Sequence, residues 1–224
     1  MTRAAALVLS VSCVGVLVGC AGADDVKPAP TSTTTVSTSA PGAALPTAKK
    51  LSGALVTAED LGEGWSEVAI ETLGAELCGV VPLKAPGTTK ARAEFVRVAD
   101  SALVQGGLTA YPSGAATAAV AALRTATNGC TSYPVTVKNS ATGTSQAFTV
   151  GVEPVTLPNV GDERLGLHLE VRDAGGKPQR TLYAVIRRAD VIAALTVTGV
   201  KADRALFDRL LPVVDERFAK VAAP

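Results

Sequence analysis

Few side chains in this chain could do acid–base or nucleophilic work. His168 is the only histidine in 224 residues. As a general base it would need a nucleophile within hydrogen-bond reach and a third group to orient it. It stands instead beside Glu170 in an alternating segment, and no Gly-x-Ser-x-Gly elbow occurs. A solvated strand histidine is the stronger reading. Asp162, Glu163, Glu170 and Asp173 are carboxylates from which a glycosidase pair could be drawn. Acids beside turns are more often simply hydrated. Gly175-Gly176-Lys177 lacks the glycine spacing and the following Ser/Thr of a phosphate-cradling loop. Arg187 and Arg188, close to Asp190, read as a charged turn, with an anion or partner contact as the alternative. Trp65, the only tryptophan, reads as a core or lid residue, with ligand stacking as the alternative. No catalytic residue is assigned, and neither a metal nor a cofactor is expected. Trp65, Arg187 and Arg188 are weak candidates for ligand contact.

The cysteines say more. Arg3 gives the N-terminus a positive charge, Ala4 to Val18 is a nearly unbroken apolar run, and small Gly19 precedes Cys20. These are the parts of a secretory signal, in a run shorter than the roughly 20 residues that span a bilayer. Leu17-Val18-Gly19-Cys20 resembles the lipobox of bacterial lipoproteins. That resemblance implies a diacylglycerol on the Cys20 thiol, cleavage before it, and palmitate-type acylation. Each buried CH₂ contributes about 0.8 kcal/mol, so two or three chains hold a soluble domain stably. An ordinary signal peptide, or an uncleaved anchor, is the alternative. Cys13 lies inside the apolar run and would be lost with it.

Cys78 and Cys130 are the remaining pair. Outside the membrane an even pair reads as a disulfide; free thiols or a metal site are the alternatives. Two cysteines and one distant histidine make a poor structural zinc site, which wants four ligands at tight spacing. Lysine and arginine number 21 against 20 acids, so no case exists for nucleic acid or for a polybasic membrane patch. Aromatics are 4% of the chain, too few for broad stacking surfaces.

The order of segments gives three parts: a signal peptide over 1–19, a lipidated Ser/Thr/Pro-rich linker over 20–50, and a folded domain over 51–224. The linker has no apolar periodicity and cannot offset its ordering entropy. In the domain, Thr57 is expected to cap a short helix that Gly62 and Gly64 end. Leu73 to Pro86 reads as loop or short helix. Ala91 to Val98 and Leu103 to Tyr111 read as strands, with Gly106-Gly107 as a bulge or close approach. Ser113 is expected to cap an Ala-rich helix over Ala115 to Thr127, with Ala116, Ala119, Val120 and Leu123 on one face and Gly129 as its stop. Gln146 to Val155 is a strand candidate. Leu165, Leu167, Leu169 and Val171 alternate with polar neighbours, and the Ala174–Lys177 turn leads to strands over Thr181 to Arg188 and Val191 to Val200. Asp203 is expected to cap a last helix with Leu206, Leu210, Val214, Phe218 and Val221 on one face, kinked or broken at Pro212. The expected fold is α+β: a mostly antiparallel twisted sheet with the Ala-rich helix and the C-terminal amphipathic helix packed on it.

Several short motifs, in order, carry a wider resemblance: Thr57-Ala58-Glu59-Asp60-Leu61 with Gly64-Trp65, Tyr111-Pro112-Ser113 leading into the Ala-rich helix, and Val160-Gly161-Asp162-Glu163 before the hairpin. Together they resemble actinobacterial envelope lipoproteins whose sensor-type domain is similar to the extracellular domain of mycobacterial receptor Ser/Thr kinases. The resemblance implies an α+β fold with a groove and a ligand-binding role. It also implies two disulfides, where this chain has cysteines for one. The expectation is a non-catalytic, ligand-binding or sensor-like domain, lipid-anchored on the outer face of the cytoplasmic membrane. Its partner would be a small molecule, a cell-wall fragment or another envelope protein. A lipid carrier and a cryptic envelope hydrolase are the alternatives.

Overall fold

Period-two alternation of side chains builds most of the domain. The computed structural model describes residues 44–69, 77–80, 86–138, 145–172, 178–199 and 203–222. The described elements are α1 (Ala48–Ser52), α2 (Ala58–Leu61), β1 (Ser66–Glu67), β2 (Thr89–Arg97), β3 (Ala102–Ala110), α3 (Ala115–Thr127), β4 (Ser132–Lys138), β5 (Ser145–Pro154), β6 (Glu163–Arg172), β7 (Gln179–Arg188), β8 (Val191–Gly199) and α4 (Arg204–Ala222). The strands form one antiparallel sheet in the order β1-β2-β3-β8-β7-β6-β5-β4. Every neighbouring pair but one is sequential. The exception joins β3 to β8, with Leu103 opposite Thr198 and Ala110 opposite Val191. The fold is α+β, as the sequence implies. The expected signal peptide, most of the linker and the Ala174–Lys177 turn lie outside the described residues. The expected start of the domain, after residue 50, falls inside α1.

Both faces of the sheet are covered, by different helices. On one face Ala91, Ala93, Phe95, Val104, Leu182, Ala184, Ile186, Ala193, Leu195 and Val197 meet Leu51, Leu206, Phe207, Leu210, Leu211, Val214 and Phe218 from α1 and α4. On the other, Val152, Leu167, Val185 and Ile192 meet Ala116, Val120 and Leu123 of α3. β8 therefore contributes to both cores, Ala193 and Leu195 to the first and Ile192 to the second. Doubly covered strands read as apolar runs, and Val191–Val197 is one. Burying a single Leu or Phe here contributes about 1.5–3 kcal/mol.

Three local expectations change. Ser113 is not the cap of α3: Gly114, at φ +77, is, and its N–H donates to Asp190 Oδ1 at 2.9 Å. Pro212 does not break α4, which runs on from Arg204 to Ala222. It stands on the exposed side, where the Asp208 carbonyl that loses its donor can turn to water. Gly106-Gly107 forms no bulge, because the β2–β3 register is unbroken. Gly106 marks a close approach instead: a Cβ there would sit 3.2 Å from Val56 Cγ2.

Candidate functional site

Arg187 and Arg188 end β7, one pointing to each face of the sheet, and neither is idle. Arg188 donates to Asp215 Oδ1 of α4 at 2.7 Å. The same oxygen accepts the Gly161 N–H at 3.0 Å. That carboxylate pushes the Arg188 pKa up from its ordinary value. Arg187, with only 14% of its side chain exposed, reaches Glu163 at 3.3 Å, Asp162 at 3.6 Å and the Ala189 carbonyl at 2.9 Å. Asp162 Oδ2 in turn accepts the Ala189 N–H at 2.8 Å, and the Asp162 N–H donates to the Arg187 carbonyl at 2.7 Å. Ala189 has φ +48, a left-handed conformation unusual for alanine. Val160-Gly161-Asp162-Glu163 is thus the clasp that ties the β5–β6 connection to the β7–β8 turn and to α4. Asp190, in the same turn, accepts from Gly114 and, through its carbonyl, from the Tyr111 N–H at 2.8 Å. The end of β7 and this two-residue turn together thus reach helices on both faces of the sheet, Arg188 to α4 and Asp190 to α3.

Trp65 is buried in the first core, the one to which α1 and α4 contribute. The Arg97 guanidinium lies 4.7 Å from the ring centroid, a cation–π contact that buries the indole face. Arg97 is held there by Asp100, through bonds of 2.9 and 2.7 Å. The pair holds the Asp100 carboxyl below its usual range and the Arg97 pKa above its own. The Trp65 Nε1 is buried without a hydrogen-bond partner among the described residues. His168 Nδ1 is 3.4 Å from Glu153 Oε2 on the neighbouring strand, and Glu170 accepts from Arg180 at 3.0 Å. The acids from which a glycosidase pair could be drawn are thus engaged by arginines, apart from Asp173, which lies outside the described residues. The described residues hold no cluster of three or more His, Cys, Asp or Glu that could bind a metal.

Cys78 and Cys130 form a disulfide with a Cα–Cα distance of 6.2 Å. It fastens the segment around the Leu77–Val80 bridge to the end of α3, where Gly129 at φ +80 turns the chain. Beside it the chain's three tyrosines meet in the second core: Tyr111 fully buried, Tyr133 and Tyr183 partly so. Burial raises the pKa of Tyr111 to about 12, and burial also raises those of Tyr133 and Tyr183. Sequence reasoning missed Asp215, the acid that unites Gly161 and Arg188. Its only sequence signal is its place next to Val214, on the flank of the apolar stripe of α4. Trp65 and the arginine pair are not brought together: the first sits with Arg97, the second at the β7–β8 turn. No helix among the described residues is long and apolar enough to cross a membrane.

No protein-family model and no curated protein matches this sequence. Among solved structures the fold matches the crystal structure of the extracellular domain of PknH from Mycobacterium tuberculosis. The TM-score is 0.58 at 15% sequence identity, over 79% of this chain and 98% of that one. At that identity the likeness establishes a shared fold.

Proposed function

We propose that this protein is a lipid-anchored, extracytoplasmic binding module of the cell envelope, sensor-like and non-catalytic, held to the membrane by acyl chains on Cys20. The observation that carries the reading is the fold shared over nearly the whole length of the extracellular domain of PknH. Three further features support it. Leu17-Val18-Gly19-Cys20 supplies the anchor. The Cys78–Cys130 bridge suits an oxidising compartment. The polar side chains best placed for chemistry are engaged in holding the fold. A lipid carrier would need an apolar cavity between sheet and helices; Leu51, Phe95, Phe207, Leu210 and Phe218 instead meet there directly, which favours the binding module.

The test is a native mass spectrum of the protein released from the membranes of a related host. The expected result is a mass above that of the acylated chain, lost on denaturation. A bare chain that also fails to crosslink to any envelope component in intact cells would contradict the reading.

A further inference from the structure

A cleft of about 570 Å³ opens between α1 and the end of α4. That volume is within the roughly 300–1,000 Å³ of small-molecule sites. Buried Ala54 and Val221 give its floor an apolar surface, and its walls carry Lys49, Lys50, Arg217 and Lys220. The four cations are not equivalent. Arg217 is fixed by the Leu55 carbonyl and by Asp60 Oδ1, each at 2.7 Å. Lys220 is 3.1 Å from Glu216. Lys49 and Lys50 are exposed and have no carboxylate within ion-pair distance among the described residues. The cleft therefore presents two ammonium groups that no carboxylate among the described residues pairs with. Concave low-dielectric walls focus their field.

We infer that this cleft binds a phosphate group, with Lys49 and Lys50 as its charge partners and the Ala54–Val221 floor against the carbon body that bears it. A phosphomonoester carries about −1.5 to −2 at neutral pH and an anionic phosphodiester headgroup about −1, so either can be held by the two ammonium groups. Lysine binds phosphate as a mobile point charge, while Arg217, neutralised by Asp60, holds the wall of the cleft in place. The phosphate has two sources that share this chemistry: an anionic lipid headgroup or a soluble phosphoester. The inference rests on reading the domain as a binding module, but needs no lipid on Cys20.

The test is calorimetric titration of the full-length chain with inorganic phosphate, with dihexanoyl phosphatidylglycerol below its micellar concentration, and with dihexanoyl phosphatidylcholine. Saturable binding of the phosphate or the phosphatidylglycerol is expected. In the Lys49→Gln/Lys50→Gln chain it should weaken by about tenfold or more, two charges being lost. Lys220→Gln should cost less, because Glu216 already shares that charge. Both lysines are exposed, so the melting temperature of the double variant should match the parent's. Binding of inorganic phosphate shows that a soluble phosphate group is sufficient; binding of phosphatidylglycerol alone identifies a lipid headgroup. Binding of neither, equal binding of the phosphatidylcholine, or unchanged affinity in the double variant would overturn the inference. If phosphate fails while the native spectrum still shows a retained ligand, only the cleft assignment falls.

Discussion

Gly161 has no room for a side chain. Its φ of +62 lies in the left-handed region, and a Cβ there would collide with Ile186 and with the carbonyl of Arg187. Gly161→Ala should therefore destabilise the fold by about 2–4 kcal/mol, read from urea unfolding; a loss under about 0.5 would contradict the clasp as described. Ala189, strained at φ +48, should respond the other way. Ala189→Gly should stabilise by about 0.5 kcal/mol, provided Asp162 still accepts its N–H. The tyrosines make a pH statement. Their folded pKa values are raised, so the folded chain keeps phenolic protons that the unfolded chain loses near pH 10. Stability is full below that pH and falls as pH rises toward about 12, where buried Tyr111 ionises. Absorbance titration should show the native tyrosines ionising later than those of the guanidinium-unfolded chain; coincident curves would contradict their burial. At this scale the sequence misleads where a partner is remote. Ser113 looks like a cap by type and place, yet Asp190, 76 residues beyond Gly114, takes the helix start.

The best-read elements are those whose burial follows one period. Leu165, Leu167 and Leu169 share the α3 face, and the stripe from Leu206 to Val221 is buried against the sheet. Asp203 Oδ1 accepts from the Leu206 N–H at 2.9 Å, as its place before the stripe implies. β4 escaped the reading. Ser132–Lys138 is short, contains Pro134, and lies at the edge of the sheet, where proline is tolerated and alternation is blurred. β1, two residues long, has no pattern to read. The disulfide, by contrast, is legible from an even cysteine pair in a chain read as lying outside the membrane, and it closes a separation of 52 residues. Replacing Cys78 and Cys130 by alanine should cost up to about 4 kcal/mol in the chain-entropy model, seen as a lower denaturant midpoint. An unchanged midpoint would mean that the bridge constrains nothing beyond the packing of α3.

For the whole molecule, the α+β class was legible because alternating strands and two amphipathic helices leave few other arrangements. The pairing of β3 with β8 was not: it joins segments separated by about ninety residues, and only the packed sheet selects it. Residue type alone marks candidate ligand contacts, but type does not show which side chains the fold already engages. Trp65, Arg187 and Arg188 are all engaged within the fold, while the cleft is lined by Lys49 and Lys50, without ion-pair partners among the described residues, in a stretch that reads as the end of a linker. The central claim is that this fold works outside the cell while held to its membrane through one residue. The most direct measurement is detergent-phase partition and N-terminal peptide mass of the native protein beside Cys20→Ala, both expressed in a related host. The account predicts a native chain that begins at Cys20, carries acyl mass and enters the detergent phase, and a variant that leaves the membrane fraction. A variant that stays in the membrane, or a native chain beginning elsewhere without lipid, would contradict it.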